Sequence, residues 1–195
     1  MCWREYRKKH HTIMFRAISK FLLRALGWQV VTEFDELPKK YVIIAIPHTS
    51  NWDFPIGLMV RSAMGFDAKY VGKDSLFKNP VLGTIMRWLG GYPVDRSKNN
   101  NFVDAVVDIF NSKEEFAITI APEGTRKKVD KLKTGFYFIA LGAKVPIIMV
   151  KFDWEHKQVV FSRPFFPSGD KEADFAFITD YFRGVKGKNP ENSFA

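Results

Sequence analysis

Cysteine is nearly missing. Among 195 residues there is only Cys2, so no intrachain disulfide can form, and a cysteine nucleophile is not expected from a position in a basic tail. Histidine is scarce as well. His10, His11, His48 and His156 are the four, and none stands at a zinc-ligand spacing with Cys, Asp or Glu, so no metal is expected. The Gly-x-Ser-x-Gly elbow of a serine hydrolase is absent. Long apolar runs are absent too. Residues 13–26 are broken by three basic side chains, and no stretch approaches the ~20 apolar residues that a bilayer-crossing helix needs. The N-terminus does not read as a signal peptide. Without a zinc-finger spacing or an aromatic RNA-binding motif, basic charge is left as the one pointer to nucleic acid, and no nucleic-acid partner is expected.

What is present is apolar and basic. Apolar residues make up 46% and aromatics 15%, with 19 Phe, enough to build one domain with a sizeable core. The net charge is +9, and its distribution is uneven. Residues 1–26 hold seven basic side chains against Glu5, or +6 of the total. Arg16, Lys20 and Arg24 recur every four residues and form one stripe of a helix. Ile13, Ile18, Phe21, Leu22 and Leu26 lie largely away from it. Such a helix suits an anionic membrane surface; a helix docked on its own domain is the other reading. The chain therefore divides into a basic amphipathic segment, 1–26, and a domain, 27–195, with Gly27 as the helix stop.

Beyond Gly27, strand-like and helix-like segments alternate. Residues 28–31, 41–46, 68–71, 116–120, 146–152 and 158–161 read as strands, several of them continuously apolar. Helical patterns fall near 54–64, 75–89, 102–112, 134–142 and 171–183. The alternation predicts an α/β fold, a mostly parallel central sheet flanked by helices, with the N-terminal amphipathic helix added. Ligand sites of such sheets collect beyond the carboxyl ends of strands. His48 follows one strand and Glu123 another.

In "PHTSNWD", His48 and Asp53 are five residues apart. On a regular helix they would be roughly 140° apart and could not meet. They meet if His48 lies in the loop before a helix and Asp53 in its first turn; Thr49, Ser50 and Asn51 are good N-cap types, and Pro55 is tolerated near a helix start. A carboxylate on one imidazole nitrogen fixes the tautomer and leaves the other nitrogen to accept a proton. An N-cap loop with an incidental histidine remains the alternative at this point. In "APEGTRKK", Glu123, Gly124, Thr125 and Arg126 combine a small residue, a hydroxyl and a guanidinium, which suits phosphate but also an ordinary exposed turn. Lys73 and Arg96 flank a Gly/Pro-rich middle segment. "FYF" at 136–138 is either an acyl slot or simply core, and aromatics mostly pack.

Taken in order, these stretches resemble the glycerolipid acyltransferase family. The family's motifs are His-four residues-Asp (His48, Asp53), an arginine after a glycine and a strand ("GGYPVDR", Arg96, with Lys73 upstream), Pro-Glu-Gly-Thr-Arg (122–126) and Val-Pro-Ile (145–147). The resemblance runs from about residue 43 to 150. Trp52 within the first motif and "KLKTGF" after the third depart from the usual pattern. The resemblance implies acyl transfer from an acyl-CoA or acyl-carrier-protein thioester to the hydroxyl of a lysophospholipid, chiefly 1-acylglycerol-3-phosphate, giving phosphatidic acid. It implies no bound cofactor, the thioester being a co-substrate; the basic amphipathic helix, in turn, leads to the expectation of peripheral or monotopic attachment at the cytoplasmic face of the membrane. It makes His48 the general base and Asp53 its orienting carboxylate, with Lys73, Arg96, Glu123, Gly124, Thr125 and Arg126 holding the acceptor. Acylation of a different lysolipid or an amino-acid-derived lipid is the nearest alternative; a non-catalytic binder of anionic lipid or nucleic acid is another. A thioesterase fits less well, because nothing is built to position water in place of an alcohol.

Overall fold

The computed structural model describes residues 3–73, 75–94 and 99–194, with side chains at 13–70, 77–92 and 102–194. Its elements follow the chain as α1 (Trp3–Ala25), β1 (Gln29–Thr32), β2 (Lys40–Ile46), α2 (Asp53–Met64), β3 (Ala68–Lys73), α3 (Ser75–Lys78), α4 (Pro80–Trp88), β4 (Gly91–Val94), α5 (Asn99–Ser112), β5 (Phe116–Ile120), α6 (Gly135–Ala143), β6 (Ile147–Asp153), β7 (Gln158–Phe161), α7 (Lys171–Tyr181) and a 3-10 turn at Pro190–Asn192. The seven strands form one sheet, ordered β1-β7-β6-β2-β5-β3-β4. Every pairing is parallel except β6 with β7, so β1 and β7 run against the other five. This is the expected α/β architecture.

The strand period of two divides the core into two layers. On β2, Val42, Ile44 and Ile46 face the layer of α5, α6 and α7, where Phe110, Phe136, Ile139 and Phe182 are buried. Tyr41 and Ile43 face the other layer, with Ile56 and Val60 of α2 and Leu23 of α1. Burying one such side chain contributes about 1.5–3 kcal/mol. Tyr137 also belongs to the core, its hydroxyl donating to Asp174 at 2.9 Å.

α1 ends where Gly27 predicts. Gly27 has φ +78°, its N–H donates to Arg24 O, and Trp28 N–H donates to Leu23 O. This paired closure needs a left-handed residue, which glycine supplies without steric cost. Leu23 and Ser19 are buried against α2, and the Arg16 guanidinium donates to Met64 O at 3.1 Å. The helix is thus docked along one side. Its opposite side leaves Met14, Phe15, Ile18, Phe21 and Leu22 exposed, Phe21 at 69%. Among the described residues, no helix is long and apolar enough to cross a membrane.

Two local expectations are corrected. The single helix expected over 75–89 is two, because Asn79 caps a new start with its side chain on Val81 N–H and Leu82 N–H, and Pro80 takes the first helical position. β4 was not expected at all, since "GYPV" carries a glycine and a proline; it lies at the sheet edge, where proline is tolerated.

Candidate functional site

β2 sits between β6 and β5 in the sheet, all three parallel, so the segments leaving their carboxyl ends lie side by side. β2 delivers His48, and β5 delivers residues 122–126. α2 begins at Asp53 and turns that carboxylate back over the loop. His48 Nδ1 lies 3.0 Å from Asp53 Oδ2. The pair meets as the spacing requires, with His48 in the loop and Asp53 in the first turn. Asp53 is 5% exposed, whereas the His48 side chain is 26% exposed and borders a groove. A buried carboxylate backing a solvent-reaching imidazole is an arrangement in which one ring nitrogen is held and the other is left for a substrate proton.

The start of α2 differs in detail from the expected cap. Trp52 occupies the N-cap position and makes no side-chain cap bond. Ser50 serves the loop instead. Its N–H donates to Asp53 Oδ2 at 2.9 Å and its Oγ accepts from Trp52 N–H at 3.2 Å. The loop thereby holds the carboxylate that the imidazole needs.

Glu123 has a different place from the acceptor contact expected of it. It is 3% exposed and turned inwards, where its Oε2 accepts the His48 backbone N–H at 2.7 Å. Burial pushes its carboxyl up to about 7, against the lowering effect of that same backbone bond and of the His48 side chain. The bond joins the two loops and fixes the main chain of His48. Gly124 turns the following residues outwards at φ +67°, and Thr125 and Arg126 are exposed on the groove. Lys133, from the "KLKTGF" stretch, joins them: its N–H donates to Pro122 O at 2.8 Å, and its side chain lies where a Cβ on Gly124 would stand. Arg126 and Lys133 thus give the groove a cationic end beside His48. Lys73 closes β3, but its side chain and all of Arg96 lie outside the described residues.

The groove has a volume of about 1410 Å³. Away from the polar end its walls are apolar, with Phe54, Leu58, Leu82, Met86, Phe102 and Phe138 among them. Of the "FYF" segment, Phe136 and Tyr137 are buried and Phe138 is 42% exposed. A site with one polar, cationic end and a long apolar remainder has the chemistry of an amphiphile-binding cleft.

Sequence reasoning missed three contributors. Lys133 was noted only as part of a departure from the common motif. Asn189 donates from its backbone N–H to Thr49 Oγ1 at 3.1 Å and from its amide to Thr49 O at 2.9 Å. Trp154 donates to Asp53 at 2.8 Å. The last two contacts join residues more than 100 positions apart, for which no local pattern exists.

Residues 29–152 match the profile of the family described as Acyltransferase. The 1-acyl-sn-glycerol-3-phosphate acyltransferase of Saccharomyces cerevisiae is 32% identical over 144 residues, covering 70% of this chain and 46% of that protein. Its namesake from Bacillus subtilis is 31% identical over 131 residues, covering 66% of this chain and 64% of the relative. That from Streptococcus pneumoniae is 30% identical over 149 residues, covering 71% and 54%. The chain thus spans between 46% and 64% of the length of these relatives. The crystal structure of the 1-acyl-sn-glycerophosphate acyltransferase of Thermotoga maritima superposes with a TM-score of 0.64, over 95% of this chain and 82% of that one, at 20% identity, and so shares the fold. With well over half its residues matched to the family profile, from the first strand through the sixth, the chain belongs to the acyltransferase family.

Proposed function

We propose that the protein transfers a fatty acyl group from a coenzyme A or acyl-carrier-protein thioester to the free hydroxyl of 1-acylglycerol-3-phosphate, giving phosphatidic acid. The observation that carries this reading is the His48–Asp53 pair, 3.0 Å apart, at the polar end of an apolar groove beside Arg126 and Lys133. His48 takes the proton of the acceptor hydroxyl as its oxygen attacks the thioester carbonyl, and the thiolate leaves. Direct attack needs no acyl-enzyme, and a good leaving group lets a placed base and proximity suffice. Asp53 holds the imidazole and stabilises its charged form. Thr125, Arg126 and Lys133 face the acceptor phosphate, and the apolar walls take the acyl chains.

Arg126→Ala should raise the apparent KM for the phosphate-bearing acceptor by about tenfold or more, because it removes a charge-assisted contact. Arg126→Lys should rescue poorly, since a point charge does not replace a planar fork. Steady-state kinetics with each substrate varied in turn checks this. A KM that rises for the thioester alone would reassign Arg126 to the donor.

The groove opens towards lipid in this reading. α4 lines it with Leu82 and Met86, while its Val81, Ile85 and Trp88 are exposed, Trp88 at 78%. α1 exposes Ile18 and Phe21 in the same way. Both helices attach to the carboxyl end of α2, α1 through Arg16 on Met64 O, and the chain after α4 through Arg61 on Leu89 O at 2.7 Å. We read them as a peripheral contact with one leaflet, on the cytoplasmic face, with Lys20 and Arg24 adding attraction to anionic headgroups. Deleting α1 would also strip Leu23 from the core, so paired surface substitutions are the cleaner probe. Ile18→Asn with Phe21→Asn should reduce co-sedimentation with anionic vesicles by about tenfold or more. Turnover of a short-chain soluble acceptor should be spared. Undiminished sedimentation would place the membrane contact elsewhere.

A further inference from the structure

The family match ends at residue 152, inside β6. Two residues later stands Trp154. Because β6 pairs with β2, the turn after β6 lies beside the loop after β2. There the Trp154 indole N–H donates to Asp53 Oδ1 at 2.8 Å. The other oxygen, Oδ2, is the one that faces His48 Nδ1 and accepts from Ser50 N–H. An indole nitrogen is a donor in every state and has no alternative tautomer. It therefore marks Oδ1 as an acceptor and leaves Oδ2 for the imidazole.

The indole is itself held. It stands edge-on to Trp28 with centroids 4.9 Å apart at 90°. Its backbone N–H donates to Lys186 O at 2.9 Å, and the Lys188 ammonium lies 5.1 Å from its ring and 4.8 Å from that of Trp52. One residue further, Asn189 makes its two bonds to Thr49. Gly187 leaves no space between: a Cβ there would stand 2.4 Å from Thr49 Oγ1. The segment 186–189 thus presses on the His48–Asp53 loop and on Trp154 together.

We propose that Trp154 is a positioning residue for the His48–Asp53 pair, acting through Asp53 Oδ1, with residues 186–189 as the clamp that holds it. This rests on the acyl-transfer reading for its effect on turnover, but the contact itself does not. A hydrogen bond to a charged group has a net value that corresponds to about a 10- to 100-fold change in an equilibrium or a rate. Trp154→Phe, which keeps a ring and loses the donor, should lower kcat by that factor, with both KM values within about twofold of wild type. In an Asp53→Asn background the same substitution should change kcat by less than about threefold, because the carboxylate through which the indole acts is gone. Trp28→Phe, which disturbs the same packing and not the bond, should lower the thermal midpoint and keep kcat.

Wild-type kcat in Trp154→Phe would overturn the proposal. So would an undiminished loss in the Asp53→Asn background, or an equal loss in Trp28→Phe. The indole N–H resonance of Trp154, compared between 15N-labelled wild type and Asp53→Asn below the thermal midpoint of each, gives a readout free of activity. It should move when Asp53 becomes Asn, and an unmoved resonance would also overturn the proposal. If wild-type protein transfers no acyl group while this resonance does respond, the functional reading falls and the contact stands.

Discussion

Alanine at position 48 is expected to lower the acyl-transfer rate by about 10²–10⁴-fold while the fold survives, the usual scale of general-base assistance. The fold should survive because the side chain is 26% exposed and the position is held by its main chain. Glu123 Oε2 accepts the residue 48 N–H whatever side chain follows. The loss should fall on kcat, since neither the cationic end nor the apolar walls of the groove depend on the imidazole. Kinetics with both substrates varied, together with a thermal melt, check this. A folded variant that turns over at the wild-type rate would remove His48 from the chemistry.

Asp53→Asn should cost about 10²-fold or more in kcat, through the wrong tautomer or a misplaced ring. The geometry makes this substitution harsher than its small size suggests. Both oxygens of Asp53 accept from N–H donors: Oδ1 from Trp154, Oδ2 from Ser50, with the His48 ring nitrogen also on Oδ2. An amide must aim its NH₂ at one of those donors in either orientation. If it faces Trp154, that bond is replaced by two opposed donors. If it faces Ser50, the imidazole must present a bare nitrogen and carry its proton on the wrong side. Either outcome leaves a buried donor unpaired, at about 1–3 kcal/mol. The thermal midpoint should therefore fall together with kcat. An Asp53→Asn protein with an unchanged midpoint and turnover would contradict the role of the carboxylate.

The strands and their order of appearance were legible because burial leaves β2, β5 and β6 mostly apolar, with Val42–Ile46 and Ile147–Val150 as unbroken runs, and burial selects for that pattern directly. β4 was not, because an edge strand tolerates a glycine and a proline that a central strand rejects. The break between α3 and α4 was written locally in Asn79-Pro80, yet the apolar pattern runs across it. The meeting of His48 and Asp53 followed from helix geometry and a loop exit, both short-range. The inward turn of Glu123 did not, since neighbours such as Gly124, Thr125 and Arg126 say nothing about which way a carboxylate points. Trp154 and Asn189 lay wholly out of reach. Their partners, Asp53 and Thr49, are brought to them by sheet order and by the C-terminal segment, and these are properties of the tertiary fold.

The most direct test incubates the purified protein with a labelled acyl-CoA or acyl-carrier-protein and a panel of lysolipids, and identifies the lipid products by mass, for wild type and for His48→Ala. Labelled phosphatidic acid from 1-acylglycerol-3-phosphate in the wild type, lost in the folded variant, is the predicted result. Product formed equally by both proteins, or a labelled product from a lysolipid without the phosphate and none from 1-acylglycerol-3-phosphate, would contradict it.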